Sequence, residues 1–264
     1  MRVQISIVQK GLAAALCLLG TVSAKAQVST RTAPTVAPIF MPPTSVSSGT
    51  VSSYAWTGSY FTNSFVGAYI GGLVPFNRNL GSEGPLLRIA ASGGRYSADF
   101  FSSSSSVASE NKVSMLGGEV LLGYRKKFGE GWLTGYLGGA FENHDNPDPT
   151  ASIRGSQGGG KGVVEYWGPL TQNVTVYGTA SYSTVFETWS AFGRVGYKVA
   201  DKVTIGSEGS LFGNNAPYRE ARIGPFITVG MPFGEVSVSG GYRAPTTPGA
   251  DGYYVNIFFG YEFH

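Results

Sequence analysis

The sequence is poor in cysteine and in charge, and it has no long apolar run past its first residues. Its one cysteine, Cys17, sits in an apolar N-terminal stretch. The rest of the chain therefore has no disulfide framework, cysteine nucleophile or thiolate metal site. Charged residues make up 13% of the whole, against about 25% in an ordinary soluble domain. Beyond residue 26 nothing approaches the roughly 18 successive apolar residues that a membrane-spanning helix requires. Spanning helices are thus excluded. The hydrocarbon core offers the backbone no water, so the remaining way to cross it is a closed barrel of strands that satisfy one another.

The first residues, "MRVQISIVQKGLAAALCLLGTVSAKAQ", place Arg2 and Lys10 before an apolar stretch and small residues after it. This is the pattern of a secretory signal peptide over 1–26, with the cut expected after Ala26. Cys17 lies inside the apolar stretch, so no lipid anchor is expected. The segment takes Arg2, Lys10 and Lys25 with it, and 19 basic and 16 acidic residues become 16 and 16. A neutral processed chain gives no ground for nucleic-acid binding. Residues 27–52, rich in Pro, Ser and Thr and without a sustained period, read as a flexible tether.

What the sequence has in quantity is glycine, 39 residues, with 15 tyrosines and 16 phenylalanines. From residue 53 to 264 short alternating segments recur between turn residues. Twelve strands are expected, at about 53–61, 64–75, 84–98, 112–126, 131–143, 158–168, 172–183, 188–199, 202–211, 219–231, 234–243 and 252–263. In the last, Tyr253, Val255, Ile257, Phe259, Tyr261 and Phe263 share one face, and Tyr254, Asn256, Phe258, Gly260 and Glu262 the other. The connections add an independent sign. Short turns such as "KFGEG", "ADK" and "PFGE" follow even-numbered strands, and longer stretches such as "DFFSSSSSVASEN" and "DNPDPTASIRGSQ" follow odd-numbered ones. Such parity fits an outer-membrane barrel with short inner turns and longer outer loops. The expected fold is thus all-β, an antiparallel transmembrane outer-membrane barrel. Pro225 in the tenth strand suggests a bulge or kink, and "GGGKG" makes the sixth strand a poor match.

With the greasy faces toward lipid, the opposite faces carry Arg88, Glu119, Lys161, Glu165, Arg194, Glu208 and Arg222. Charges at membrane depth must be paired or wet. Their near balance points to a lumen knitted by ion pairs more than to a one-sign selectivity ring. "GSQGGGK" mimics a phosphate-cradling loop, but Gly162 stands where Ser or Thr should be. "FENHDNPDP" gathers Glu142, His144, Asp145 and Asp148 at an outer strand end without the spacing of a calcium loop. A serine and His144 acting on lipid would need a third orienting group that is not legible. No enzymatic activity, cofactor or metal is expected. Tyr96, Phe100, Phe101, Phe186, Trp189 and Tyr218 lie near predicted outer ends. Rings there form an interfacial girdle, and the same rings are candidates for stacking on sugar faces.

Several segments carry a family resemblance: "YIGGLVPFNRNLGSEGPLLRIAASGGRYSADF", "GGEVLLGYRKKFGEGWLTGYLGGAFENHD", "RGSQGGGKGVVEYW", "ASYSTVFETWSAFGRVGYKV" and "EARIGPFITVG" followed by "VSVSGGY". In this order they resemble the bacterial cellulose biosynthesis protein BcsS family, from about Tyr54 to Phe263. The resemblance implies an outer-membrane protein of a Gram-negative bacterium, working with cellulose synthase components. No catalytic residue comes with it. The function expected is an accessory barrel in outer-membrane lipid that assists export or surface anchoring of a β-glucan such as cellulose, with cellulose synthase subunits as partners. The alternative is a small-solute channel or adhesion barrel unrelated to cellulose.

Overall fold

The computed structural model describes residues 51–101, 108–149, 151–215, 218–246 and 251–264. The expected signal peptide, and the expected tether up to residue 50, lie outside the described residues.

Twelve strands follow one another: β1 (Ser53–Thr62), β2 (Phe65–Pro75), β3 (Gly84–Phe101), β4 (Ala108–Phe128), β5 (Gly131–Asp145), β6 (Gly155–Pro169), β7 (Val174–Ser183), β8 (Thr188–Ala200), β9 (Val203–Gly213), β10 (Arg219–Met231), β11 (Gly234–Pro245) and β12 (Gly252–Phe263). Each pairs antiparallel with its sequence neighbour, and β1 pairs with β12 from Ser53↔Phe263 to Thr62↔Tyr254, which closes the barrel. Closure leaves no strand edge unpaired, and this is what lets a sheet sit in hydrocarbon.

Alternation decides what faces lipid. On β12, Tyr253, Phe259, Tyr261 and Phe263 are exposed, while Tyr254, Asn256, Phe258 and Glu262 are buried. On β5, Leu133, Leu137 and Phe141 face out, and Thr134, Tyr136 and His144 are buried. The outward face is a sleeve of Val, Leu, Ile and aromatic side chains. Ten residue steps from Tyr253 to Phe263, each about 3.3 Å and tilted about 40°, span roughly 25 Å, the height of an outer-membrane apolar band.

The end that carries both chain ends of the barrel also has the turns 76–83, 129–130, 170–173, 201–202 and 232–233. It is the inner end. At the outer end the β3–β4 connection is shorter than the sequence suggests, because the two strands stay paired from Tyr96↔Val113 out to Phe101↔Ala108. These two strands run 18 and 21 residues, well beyond the 9–11 or so that cross a bilayer. The hairpin therefore stands above the membrane as a raised wall.

Two expectations are corrected. Pro225 causes no bulge: β10 keeps one register against β11, with Ile223↔Tyr242 and Phe226↔Ser239, and only the rungs between them are missing. Pro225 lacks the donor for that ladder, while Gly224 lies against Gly240 and Gly241 so closely that a side chain would strike their backbone. The register shift occurs instead between Lys198 and Ala200, on the β8–β9 pairing. β6 is a regular strand despite its glycines, paired to β5 from Trp132↔Trp167 to His144↔Gly155.

Candidate functional site

The inward faces put a set of ionisable and aromatic side chains into the lumen, where they form three clusters. In the first, Arg88 on β3 donates through Nε to Glu119 on β4 at 2.8 Å and through Nη1 to Glu165 on β6 at 2.5 Å. Lys161 reaches the other oxygen of Glu119 at 2.5 Å, and the Tyr136 hydroxyl donates to Glu165 at 3.2 Å. The guanidinium also lies over the rings of Trp56 and Tyr136. In the second, Arg194 on β8 holds Glu208 on β9 through Nε and Nη2, and donates to Ser237 across the lumen on β11. The Tyr254 hydroxyl closes the other side of Glu208 at 3.1 Å. Arg194 rests 3.9 Å above the Phe226 ring.

The third cluster lies nearer the outer end. Arg222 Nε and Arg243 Nη2 each sit 2.5 Å from one oxygen of Glu220, and Tyr218 donates to the same carboxylate. Burial, and after it the Glu220 carboxylate, push the Tyr218 phenol well above its ordinary value. Arg243 also donates to Asn63 and Ser64, tying the β1–β2 turn to β11.

Both mouths are covered. At the inner end the turn after β2 folds back, so that Leu80 packs with Val51 in one core cluster with Tyr54, Trp56 and Leu73. The Leu80 carbonyl accepts from Arg125 at 2.7 Å, and Leu80 N–H donates to Val51. At the outer end Ile153, Val185 and Phe186 fold inward onto Tyr96, Val113 and Met115. Phe186 stands in a 3-10 turn, Val185–Glu187, and packs edge-on to His144 with ring centres 5.2 Å apart. Phe186 and Glu187 both have φ near +48°, a region that costs a non-glycine residue about 1–3 kcal/mol. The Gln157 side chain and the Asn215 N–H hold Phe186's N–H and carbonyl. Between the mouths lie cavities of about 30 and 10 Å³, where one water needs about 10–15 Å³. Among the described residues the lumen is packed, and these cavities are too small to pass a chain.

All seven charges singled out from the sequence point into this lumen, and the structure joins them pairwise except that Arg222 pairs with Glu220, a residue the sequence analysis passed over. Glu220, Arg243, Glu235 and Glu262 are also buried inside. The same alternation marks them, since each stands one step from an outward apolar or aromatic residue.

The six aromatic candidates separate. Tyr96, Phe186 and Tyr218 are buried inside the wall; they are not outer-surface rings, because Tyr96 lies on the inward face of β3 and Phe186 and Tyr218 turn inward from their connections. Tyr96 bonds His144 Nδ1 at 3.2 Å. Trp189 faces outward beside Tyr182 on the β7–β8 pairing, under the Arg219 guanidinium, as a girdle residue does. Phe100 and Phe101 pair with Ser109 and Ala108 on the raised hairpin. The acidic stretch is split by alternation: Glu142 and His144 turn inward, 3.3 Å apart, while Asp145 faces out.

A closed, lipid-faced barrel of twelve strands with its termini at the short-turn end is an outer-membrane barrel. Solved structures agree on that class. The chain is similar to the KdgM porin (TM-score 0.50, 11% identity, covering 80% of this chain and 99% of that one). It is also similar to an outer membrane channel from Pseudomonas putida F1 (TM-score 0.55, 10% identity, 85% and 100%). At such identities the likeness is one of fold. No curated protein matches the chain. Residues 54–263 match the family described as cellulose biosynthesis protein BcsS, and the chain belongs to that family.

Proposed function

We propose that this protein is an accessory barrel of bacterial cellulose production that holds the β-glucan at the cell surface and does not conduct it. Membership in the family supplies the cellulose context. The observation that favours anchoring over export is the packed lumen: Arg88, Glu165, Arg194, Glu208, Tyr69 and Phe258 are all at most 6% exposed. Porins with wide aqueous channels use about 16–18 strands, and this barrel has twelve. The surfaces left for a glucan are the outer loops and the raised β3–β4 hairpin. The inner end, where β1 begins after the Pro-rich tether, is where synthase subunits would dock, and the signal peptide would route the chain there. Deleting the gene and measuring extracellular cellulose tests the reading. Normal synthesis with cellulose shed into the medium is expected. Unchanged yield with unchanged attachment overturns it, and a loss of secreted cellulose would turn it toward export.

A further inference from the structure

Among the described residues, the ion pairs leave a small chamber unfilled, in the half of the lumen walled by β3 to β8. It measures about 30 Å³, and alanine and aromatic residues share its lining with the polar Ser92, Glu119, Glu142, Lys161, Ser181 and Thr188. Gly117 keeps it open, since a Cβ there would come within 3.3 Å of Glu142 Cγ and 3.5 Å of Ser92 Oγ. Glu119 has both oxygens taken, by Arg88 and Lys161. Glu142 gives one oxygen to His144. Among the described residues, its second oxygen and two of the three Lys161 N–H groups have no hydrogen-bond partner. Lys161 and Glu142 retain 13% and 17% side-chain exposure, so solvent still reaches both groups. The outer plug lies close by, with Phe186 packed on the His144 that holds Glu142.

The lining decides what fits. An anion would meet two carboxylates, and a bare cation would meet Lys161. A neutral group that accepts from Lys161 and donates to Glu142 through adjacent atoms satisfies both. At about 10–15 Å³ for each water-sized group, the chamber takes about two such groups, which is two hydroxyls and not a whole ring. We propose that the chamber is a terminal subsite for a saccharide: it receives the vicinal diol at the end of a β-glucan entering from the outside, once the Val185–Phe186 plug withdraws. Two successive non-glycine residues at positive φ make that plug a strained, displaceable element. The inference rests on the surface-anchor reading and names the contact by which the anchor holds its polymer.

Isothermal titration of cellopentaose into the barrel in detergent micelles tests it. The wild type should bind weakly. Phe186→Gly, which removes the plug ring and relieves the φ strain, should bind several-fold more tightly. Glu142→Gln should lose about tenfold or more, the loss of one charge-assisted hydrogen bond. Gly117→Leu, filling the chamber, should bind nothing; Lys161→Met replaces it if thermal melting shows the leucine variant misfolded. Binding by neither the wild type nor Phe186→Gly, or equal binding by the filled chamber, overturns the subsite. Absent binding together with cellulose shedding in the deletion strain sinks the subsite alone. Unchanged attachment in that strain sinks the anchor reading.

Discussion

Arg88 on β3 grips Glu165 on β6 at 2.5 Å although two strands of the wall lie between them. The bond therefore crosses the lumen and does not run along the sheet. It ties one arc of the barrel together, and both side chains are about 4% exposed. Removing the cation leaves two buried carboxylates facing one another. Arg88→Met should destabilise the barrel by about 3–5 kcal/mol, read from urea unfolding in detergent. Adding Glu165→Gln should return part of the loss. No shift in the urea midpoint would show that the pair does not brace the wall.

The packed lumen carries an electrical prediction. In planar bilayers the purified barrel should give no steady conductance, because Arg194, Glu208, Ser237 and Tyr254 meet across it. Replacing Arg194 and Glu208 together by alanine should bring only unsteady openings. A stable ohmic channel in the wild type would return the protein to the small-solute class.

Among the described residues Leu137 is the most exposed of the large apolar side chains, at 75%, and it pairs with Leu122 midway along the β4–β5 hairpin. Leu137→Arg should lower folding stability in vesicles by roughly 2–4 kcal/mol, as a cation does near the bilayer midplane. A stability change near zero in the vesicle unfolding curve would mean that this face does not lie in hydrocarbon.

At the closing seam, Tyr54 lies over Gly260 so closely that any Cβ there would strike its hydroxyl. Gly260→Ala should destabilise by about 1–3 kcal/mol through overpacking, seen as a lower temperature of conversion from the folded to the unfolded band on gels. Tyr54→Leu in the same chain should recover part of that loss. An unaltered conversion temperature would show that the seam has slack.

Much of this protein is fixed by a period of two. Lipid-facing and lumen-facing residues alternate along every strand, so a reader of the chain can place Tyr253 outside and Tyr254 inside, and can send Arg88, Glu119 and Arg194 into the lumen. The twelve strands lie within four residues of the expected bounds for the same reason. Partners are another matter. That Arg88 meets Glu165, that Glu220 and not Glu208 answers Arg222, and that Leu80, Ile153 and Phe186 fold into the mouths depends on barrel curvature and on loops without a period. Alternation assigns a face to each residue, but only the closed circle brings opposite walls close enough for their charges to touch.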